Sequence, residues 1–301
     1  MSERVERNQV PDHQIRGQCP TCQGPPPFSA VRGFEDSLLV RCWNCSMVFS
    51  ERIPASAELA AYYSGYGRAY SPSETTLGRY RELLSHLAAS TRVRRLLDFG
   101  CGNGHLLSVA SELGWEVVGV DRGEAAREAC RERGLDVIAA SIAELEDTRD
   151  FDLVTAVEVV EHLPDPRAEL EALASLIRPG GLLYVSTPNF DSLTRRLVGA
   201  RWRIFSYPEH LGFFTTPTLT LLAEAVLLQP VEVFTEGLSP ATLAGRLGKQ
   251  AGDGPGNPLD EAMRAASESR RSAAVAKSAI NAALRSTGWG DTIKGTFVKP
   301  D

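Results

Sequence analysis

The spacing of apolar positions divides this chain into two unequal parts. Residues 1 to about 56 show little helical periodicity and carry the run Pro25-Pro26-Pro27, so they read as a small module of their own. From Leu59 a helical spacing begins, pauses at Ser71-Pro72-Ser73, and resumes through Leu77, Tyr80, Leu83, Leu84 and Leu87. It predicts an amphipathic stretch leading into a first core strand. Between Val93 and Val185 short apolar runs alternate with amphipathic stretches: 95–99, 116–120, Asp136-Val137-Ile138, 151–157 and 182–185. Runs of this length separated by helices predict an α/β fold, a parallel sheet with right-handed crossovers and helices on both faces. Arg178-Pro179-Gly180-Gly181 reads as a turn before the last of these strands. Residues 217–228 are again helical in pattern, and 251–257 read as a flexible loop. An Ala-rich helix is expected from about Leu259 to Leu284, and a final strand over Asp291 to Val298. The predicted division is therefore 1–56 and 57–301, with 238–290 as a helical insertion before the last strand.

The sequence Asp98-Phe99-Gly100-Cys101-Gly102-Asn103-Gly104 follows a strand and opens a helix at His105. Glycines allow a tight turn and a close approach of ligand to backbone. Asp121, at the end of the next strand, is placed to accept hydrogen bonds from both hydroxyls of a ribose, a nucleotide-binding constellation at the carboxyl edge of a sheet. A dinucleotide site requires G-x-G-x-x-G; here the third glycine comes two residues after the second, and an acid precedes the first. A carboxylate beside the loop repels phosphate and suits a cationic sulfonium or ammonium group. That spacing excludes an NAD oxidoreductase.

Leu96 to Leu107 resembles motif I of the class I S-adenosylmethionine-dependent methyltransferases. Val117 to Asp121 is similar to the acidic motif that follows it. Phe151 to Pro166, with Val157-Glu158-Val159-Val160-Glu161-His162-Leu163, resembles the next motif, and Arg178 to Pro188 resembles the R-P-G-G strand motif. The resemblance implies a Rossmann-like sheet and S-adenosylmethionine as cofactor. It places Gly100, Cys101 and Gly102 beneath the methionine and ribose, Asp98 near the amino acid end, and Asp121 with Arg122 at the ribose. Ser141 stands where many relatives carry an Asp that meets the adenine, and Ile142 is placed to flank the ring. Glu158 lies on the methionine side. Arg79 is implied against the ligand carboxylate, a solvated helix charge being the competing role.

Cys19-Pro20-Thr21-Cys22 and Cys42-Trp43-Asn44-Cys45 form two C-x2-C knuckles 19 residues apart. Four thiolates at this spacing close a tetrahedral shell and leave no open position, which predicts a structural Zn2+. A segment with so few core residues is not expected to fold without one. The N-terminus lacks an apolar secretory run, which predicts a cytoplasmic, reducing location where cysteines bind metal or stay free. The apolar runs also fall short of the roughly 20 residues needed to span a bilayer. A net charge of −6 disfavours nucleic acid as partner.

Transfer from a sulfonium is an in-line displacement that rests on positioning, and a hydroxyl acceptor benefits from a base near neutral pKa. Of five histidines, His162 follows Glu161 beyond the fourth strand, and His210 lies in Tyr207-Pro208-Glu209-His210-Leu211-Gly212-Phe213-Phe214-Thr215. That stretch, after Arg195, Arg196, Arg201, Trp202 and Arg203, resembles a W-R…P-E-H-L…F-T segment. The segment belongs to bacterial methyltransferases related to the ubiquinone O-methyltransferases and to enzymes tailoring glycans, lipids and natural products. The resemblance implies an acceptor-side loop over 191–216, with His210 and His162 facing the acceptor, Glu161 beside them, and one imidazole taking a proton. Ordering a loop by hydrogen bonds is the competing role. The Arg and Trp cluster is placed to meet an anionic group or to form a solvated lid surface, and Tyr62, Tyr63, Tyr66 and Tyr70 to close over the cofactor or to pack in the core. The expectation is an O-methyltransferase for a small-molecule, sugar or natural-product acceptor. Its rivals are an RNA methyltransferase reading through the zinc module and a non-catalytic partner subunit. Six Arg balance six Asp and Glu within 1–56, so no basic RNA-binding face is advertised.

Overall fold

A computed structural model of the chain describes residues 14–32, 34, 38–63, 72–88, 94–135, 137–138, 142–145, 150–202, 204–238 and 271–301. The N-terminal part folds as short strands: β1 (Gln14–Ile15), β2 (Ser29–Ala30), β3 (Leu39–Arg41), β4 (Val48–Ser50) and β5 (Arg52–Ile53). Helices α1 (Ser56–Tyr63) and α2 (Glu74–Ala88) lead into the large sheet, and the helices beyond them include α4 (Glu124–Glu132) and α6 (Leu193–Val198).

That sheet contains β6 (Arg95–Phe99), β7 (Glu116–Val120), β8 (Val137–Ile138), β9 (Phe151–Val157), β10 (Ile177–Pro188), β12 (Gln229–Glu236) and β13 (Thr292–Val298). Their spatial order is β12-β13-β10-β9-β6-β7-β8, with β13 antiparallel to both neighbours. The pairs β10–β9, β9–β6, β6–β7 and β7–β8 are parallel. The chain leaves β6 towards β7 and β8, then returns on its other side as β9. The crevice at that reversal, outside the carboxyl ends, is where open α/β sheets take ligands.

Alternation along each strand sends neighbouring residues into opposite layers. Leu97, Val154 and Leu183 pack with Leu170 and Leu173 of α5 (Pro166–Leu176) and with Leu219 and Leu222 of α7 (Thr216–Glu224). Leu96, Leu153 and Leu182 pack with Leu84 and Leu87 of α2 and with Leu106 and Leu107 of α3 (His105–Glu112). Phe151 to Ala156 are all buried, as a strand covered on both faces must be. Helix α5 starts where Asp165 accepts from the Ala168 amide at 3.1 Å and Pro166 sets the first turn.

Two elements depart from the sequence expectation. Arg178–Gly181 does not interrupt the strand: β10 runs through it as a bulge, with a register shift between Ile177 and Leu182 and Gly180 at φ +69°. The pattern over 217–228 breaks at Glu224, and an edge strand, β12, follows. Its first four residues are exposed, so no apolar alternation announces it. The insertion is described only from Arg271, in α8 (Arg271–Thr287); Asp136 and the 251–257 loop lie outside the described residues. Among the described residues no helix is long and apolar enough to cross a membrane.

The small N-terminal sheet takes in chain from far along the sequence. Strand β11 (Gly212–Phe213) pairs antiparallel with Val48 and Phe49 of β4, completing the order β11-β4-β3-β2. Cys19, Val40, Cys42, Met47 and Phe49 share a core with Phe214 and Leu219. On the other face Val31, Phe34, Leu39 and Val48 pack with Phe190, Trp202 and Phe213.

Candidate cofactor cleft and histidine centre

Beyond β6 the glycine loop is held from both sides by the end of β7. The Gly100 and Cys101 amides donate to the Val120 carbonyl at 2.8 and 3.1 Å. The Gly102 amide donates to Asp121 Oδ2 at 2.9 Å and the Gly123 amide to Oδ1 at 2.7 Å. Asp121 thus spends one lone pair of each oxygen on orientation and keeps the others. Gly100 sits at φ +76°, and a Cβ there would lie 2.5 Å from Val159 Cγ2, whereas one at Gly102, φ +51°, would meet open space. The loop is therefore pinned against the chain after β9 and open on the other side.

Asp98, buried at the end of β6, accepts from Thr155 Oγ1 at 2.6 Å. Burial, with Asp121 adding to it, pushes its carboxyl up to about 7. Cys101 and Cys130 are buried, and both thiols point at the Gly102 carbonyl. Ile142 begins a short 3-10 turn and packs with Val118 and Val120. Glu158 occupies φ +55°, with Oε1 accepting from Ser186 Oγ at 2.9 Å. Arg122 reaches away to Glu169 at 3.0 Å. Arg79 lies half-buried on α2, which packs on the helix opened by the loop. Ser141, His13, Tyr66, Tyr70 and Arg203 lie outside the described residues, as does the Tyr63 side chain.

The second group of predicted residues comes together where the turn after β9 meets the segment after β10. The His162 and His210 rings stand edge to face, centroids 4.6 Å apart. Each Nδ1 faces a backbone carbonyl, that of Glu209 at 3.1 Å for His162 and that of Ile204 at 2.6 Å for His210. A carbonyl only accepts, which for a neutral His210 assigns the proton to Nδ1 and the lone pair to Nε2; the His162 ring has the Glu158 carbonyl as a further hydrogen-bond partner. Burial, with His210 adding to it, pushes His162 down to about 4, and burial lowers His210. Glu161, fully inside, accepts from Thr187 Oγ1 at 2.9 Å, and its Oε1 lies 3.9 Å from His162 Nε2. Burial, then Glu158, pushes its carboxyl well up. Ligand-type atoms of Glu161, His162 and His210 lie within 4.8 Å of one another, a spacing at which such groups can hold a divalent cation.

Glu209 and Thr187 join this centre without having been predicted, and Tyr62, expected over the cofactor, joins them. Glu209 is buried and accepts from the Tyr62 hydroxyl at 2.8 Å, so Tyr62 closes on the histidine segment. Burial, then Glu209, pushes that phenol up to about 12. Trp202, expected to meet an acceptor, is core instead, packed with Phe190 and Phe205. Arg195 stacks on Phe190, 4.0 Å from the ring centroid.

The four module cysteines also converge. Cys19 and Cys45 Sγ are 3.6 Å apart, as are Cys22 and Cys42, and all four lie within 4.8 Å of one another. A disulfide requires about 2.05 Å, whereas a tetrahedron with metal–sulfur bonds of about 2.3 Å has edges of about 3.8 Å. The Gly24 amide donates to Cys22 Sγ at 3.4 Å, and a Cβ at Gly24 would collide with Asn44. Hydrogen bonding from Cys19 lowers the Cys45 thiol to about 5.

A methyltransferase-domain family matches residues 73–233, more than half of the chain. The ubiquinone biosynthesis O-methyltransferase of Aeromonas salmonicida is 31% identical over 170 residues, 52% of this chain and 71% of that protein. Its counterpart in Bordetella avium is 35% identical over 131 residues, 40% of this chain and 54% of that protein. The chain thus spans about half to seven-tenths of the length of these curated relatives. The fold is shared with a SAM-dependent methyltransferase of Archaeoglobus fulgidus (TM-score 0.51, 22% identity, 81% of this chain and 100% of that one). It is shared too with the [4+2]-cyclase SpnF (TM-score 0.52, 17% identity, 82% and 98%). With the glycine loop, Asp121 and the motif around Glu158 in place on that sheet, the chain belongs to the methyltransferase-domain family of S-adenosylmethionine-dependent enzymes.

Proposed function

We propose that the chain moves the methyl group of S-adenosylmethionine to a hydroxyl of a small-molecule, sugar or natural-product acceptor. The carrying observation is the pair of imidazoles, His162 and His210, edge to face and each held by a carbonyl at Nδ1, which at His210 leaves the lone pair on Nε2. The cofactor supplies an electrophilic methyl on a sulfonium. Asp98 receives its ammonium end, Asp121 its ribose hydroxyls, and Ile142 flanks its base. Glu158, at the tip of β9, closes the methionine side. One of the two imidazoles, His210 or His162, takes the acceptor's proton, and Glu161, its carboxyl pushed well up by burial, supports the adjoining imidazole. The four thiols hold Zn2+, whose part is structural because no ligand position stays open.

Calorimetric titration with S-adenosylhomocysteine and NADH tests the cofactor. Saturable binding of the first alone is expected, and uptake of NADH alone ends the proposal. Labelled S-adenosylmethionine with a panel of phenols and sugars then tests the acceptor, and label found only on nitrogen or carbon removes the O-transfer reading.

A further inference from the structure

The cysteine module makes two hydrogen-bonded attachments to the histidine centre. Arg16, between β1 and the first cysteine knuckle, is only 9% exposed, although arginine is almost never buried without partners. Its Nε donates to the Ser50 carbonyl at 3.0 Å and its Nη1 to the Pro164 carbonyl at 2.6 Å. Pro164 stands two residues beyond His162, and Ser50 ends β4. The charged groups facing Arg16 are Asp165, which caps α5, and Cys19. The second attachment is a backbone ladder: the Ser50 amide donates to the Leu211 carbonyl at 2.8 Å, and the Leu211 amide donates to the Glu161 carbonyl at 2.7 Å. Leu211 directly follows His210.

We infer that the cysteine module is a positioning part of the acceptor-side centre, and that Arg16 is the positioning residue that fixes His162 relative to His210. The inference rests on the proposal that these histidines face the acceptor. Each histidine lies within two residues of a carbonyl held from the module, Pro164 for His162 and Leu211 for His210, and both attachments pass through Ser50. The strand carrying Ser50 begins three residues after Cys45, and Arg16 lies three residues before Cys19. Metal bound by the thiols therefore sets the place of both anchors. A guanidinium spans two carbonyls with divergent donors; a lysine ammonium reaches one from a flexible stem.

The test is side-chain nitrogen NMR of the histidines in the full zinc-loaded chain, beside calorimetry with S-adenosylhomocysteine. In the wild type His210 is expected in the Nδ1–H form, and the His162 signals serve as the reference for its ring between the Glu209 and Glu158 carbonyls. Arg16→Gln should keep its zinc and bind S-adenosylhomocysteine within about twofold of wild type. The His162 signals should nevertheless move from their wild-type positions, and Arg16→Lys should restore them in part. Unmoved histidine signals in Arg16→Gln overturn the inference. So do signals that move only together with loss of S-adenosylhomocysteine binding, which report general unfolding. If Arg16→Gln yields no folded protein, chelating the zinc from the wild type decides: the histidine signals must shift while nucleoside binding persists, and unshifted signals overturn it. A wild type that binds no S-adenosylhomocysteine sinks the proposed cofactor and leaves the histidine readout standing.

Discussion

The proposed cofactor half and the proposed acceptor half of the crevice are built in opposite ways. The cofactor half comes from two short stretches, 98–104 and 120–123, and most of its hydrogen bonds are made by main chain to main chain or to Asp121. The acceptor half is assembled from side chains of distant segments: Tyr62 and Glu209 meet across 147 positions, and Arg16 and Pro164 across 148. A site made of backbone depends on conformation at a few glycines. One made of side chains depends on everything that packs around it.

The sharpest way to separate the halves is His210→Ala. Turnover should fall about 10²- to 10⁴-fold, the range of a lost general base, while affinity for S-adenosylhomocysteine holds within about twofold. Steady-state rates at saturating cofactor measure it. A rate close to wild type would leave His162 as the base, or leave proximity alone to drive the reaction.

Gly100→Ala should do the reverse. The left-handed φ strains any Cβ, and this one falls 2.5 Å from Val159 Cγ2. A cost of about 2–3 kcal/mol is expected, roughly 30- to 150-fold in the dissociation constant of S-adenosylhomocysteine. Adding Val159→Ala removes the collision but not the strained φ, so calorimetry should show partial recovery. Full recovery would mean the collision was the whole cost.

The same contrast explains what was legible in the sequence. The strands β6, β7 and β9, the glycine loop and Asp121 are local patterns, and each lies where its pattern put it. The cysteine knuckles were equally readable, since their spacing alone brings four thiols to 3.6 Å contacts. Thr187 and Glu209 carry no local signal, because their roles come from contacts made after the chain has folded back. Trp202 was misplaced for a related reason: beside arginines it reads as a surface anchor, and only Phe190, Phe205 and Phe213 turn it into core. Strand β12 was missed because an exposed edge needs no apolar period.

A pH series sharpens the cofactor half. Burial raises Asp98 to about 7, so the carboxylate that suits the cofactor's ammonium group is fully present only above that pH. Affinity should be full at pH 8 and fall as pH drops through 7, reaching a loss of about tenfold at pH 6. Asp98→Asn should bind weakly at every pH, with no slope. Titrations at pH 8, 7 and 6 on both proteins distinguish the cases, and a flat wild-type profile would show that Asp98 does not carry the charge recognition.

The smallest expected effect probes the least legible contact. Thr187 is fully buried, and its hydroxyl donates to Glu161; Thr187→Val keeps the shape and removes the donor. The carboxyl then loses a partner that favours its charged form and moves further towards neutrality. The loss should be about 1 kcal/mol, roughly fivefold in kcat, with affinity for S-adenosylhomocysteine unchanged because the glycine loop lies elsewhere. Thr187→Ser, which keeps the hydroxyl at the cost of a methyl group, should recover most of the rate. If the serine variant were slower than the valine one, packing rather than the hydrogen bond would govern this position. The acceptor half would then depend on the shape around Glu161 more than on its charge.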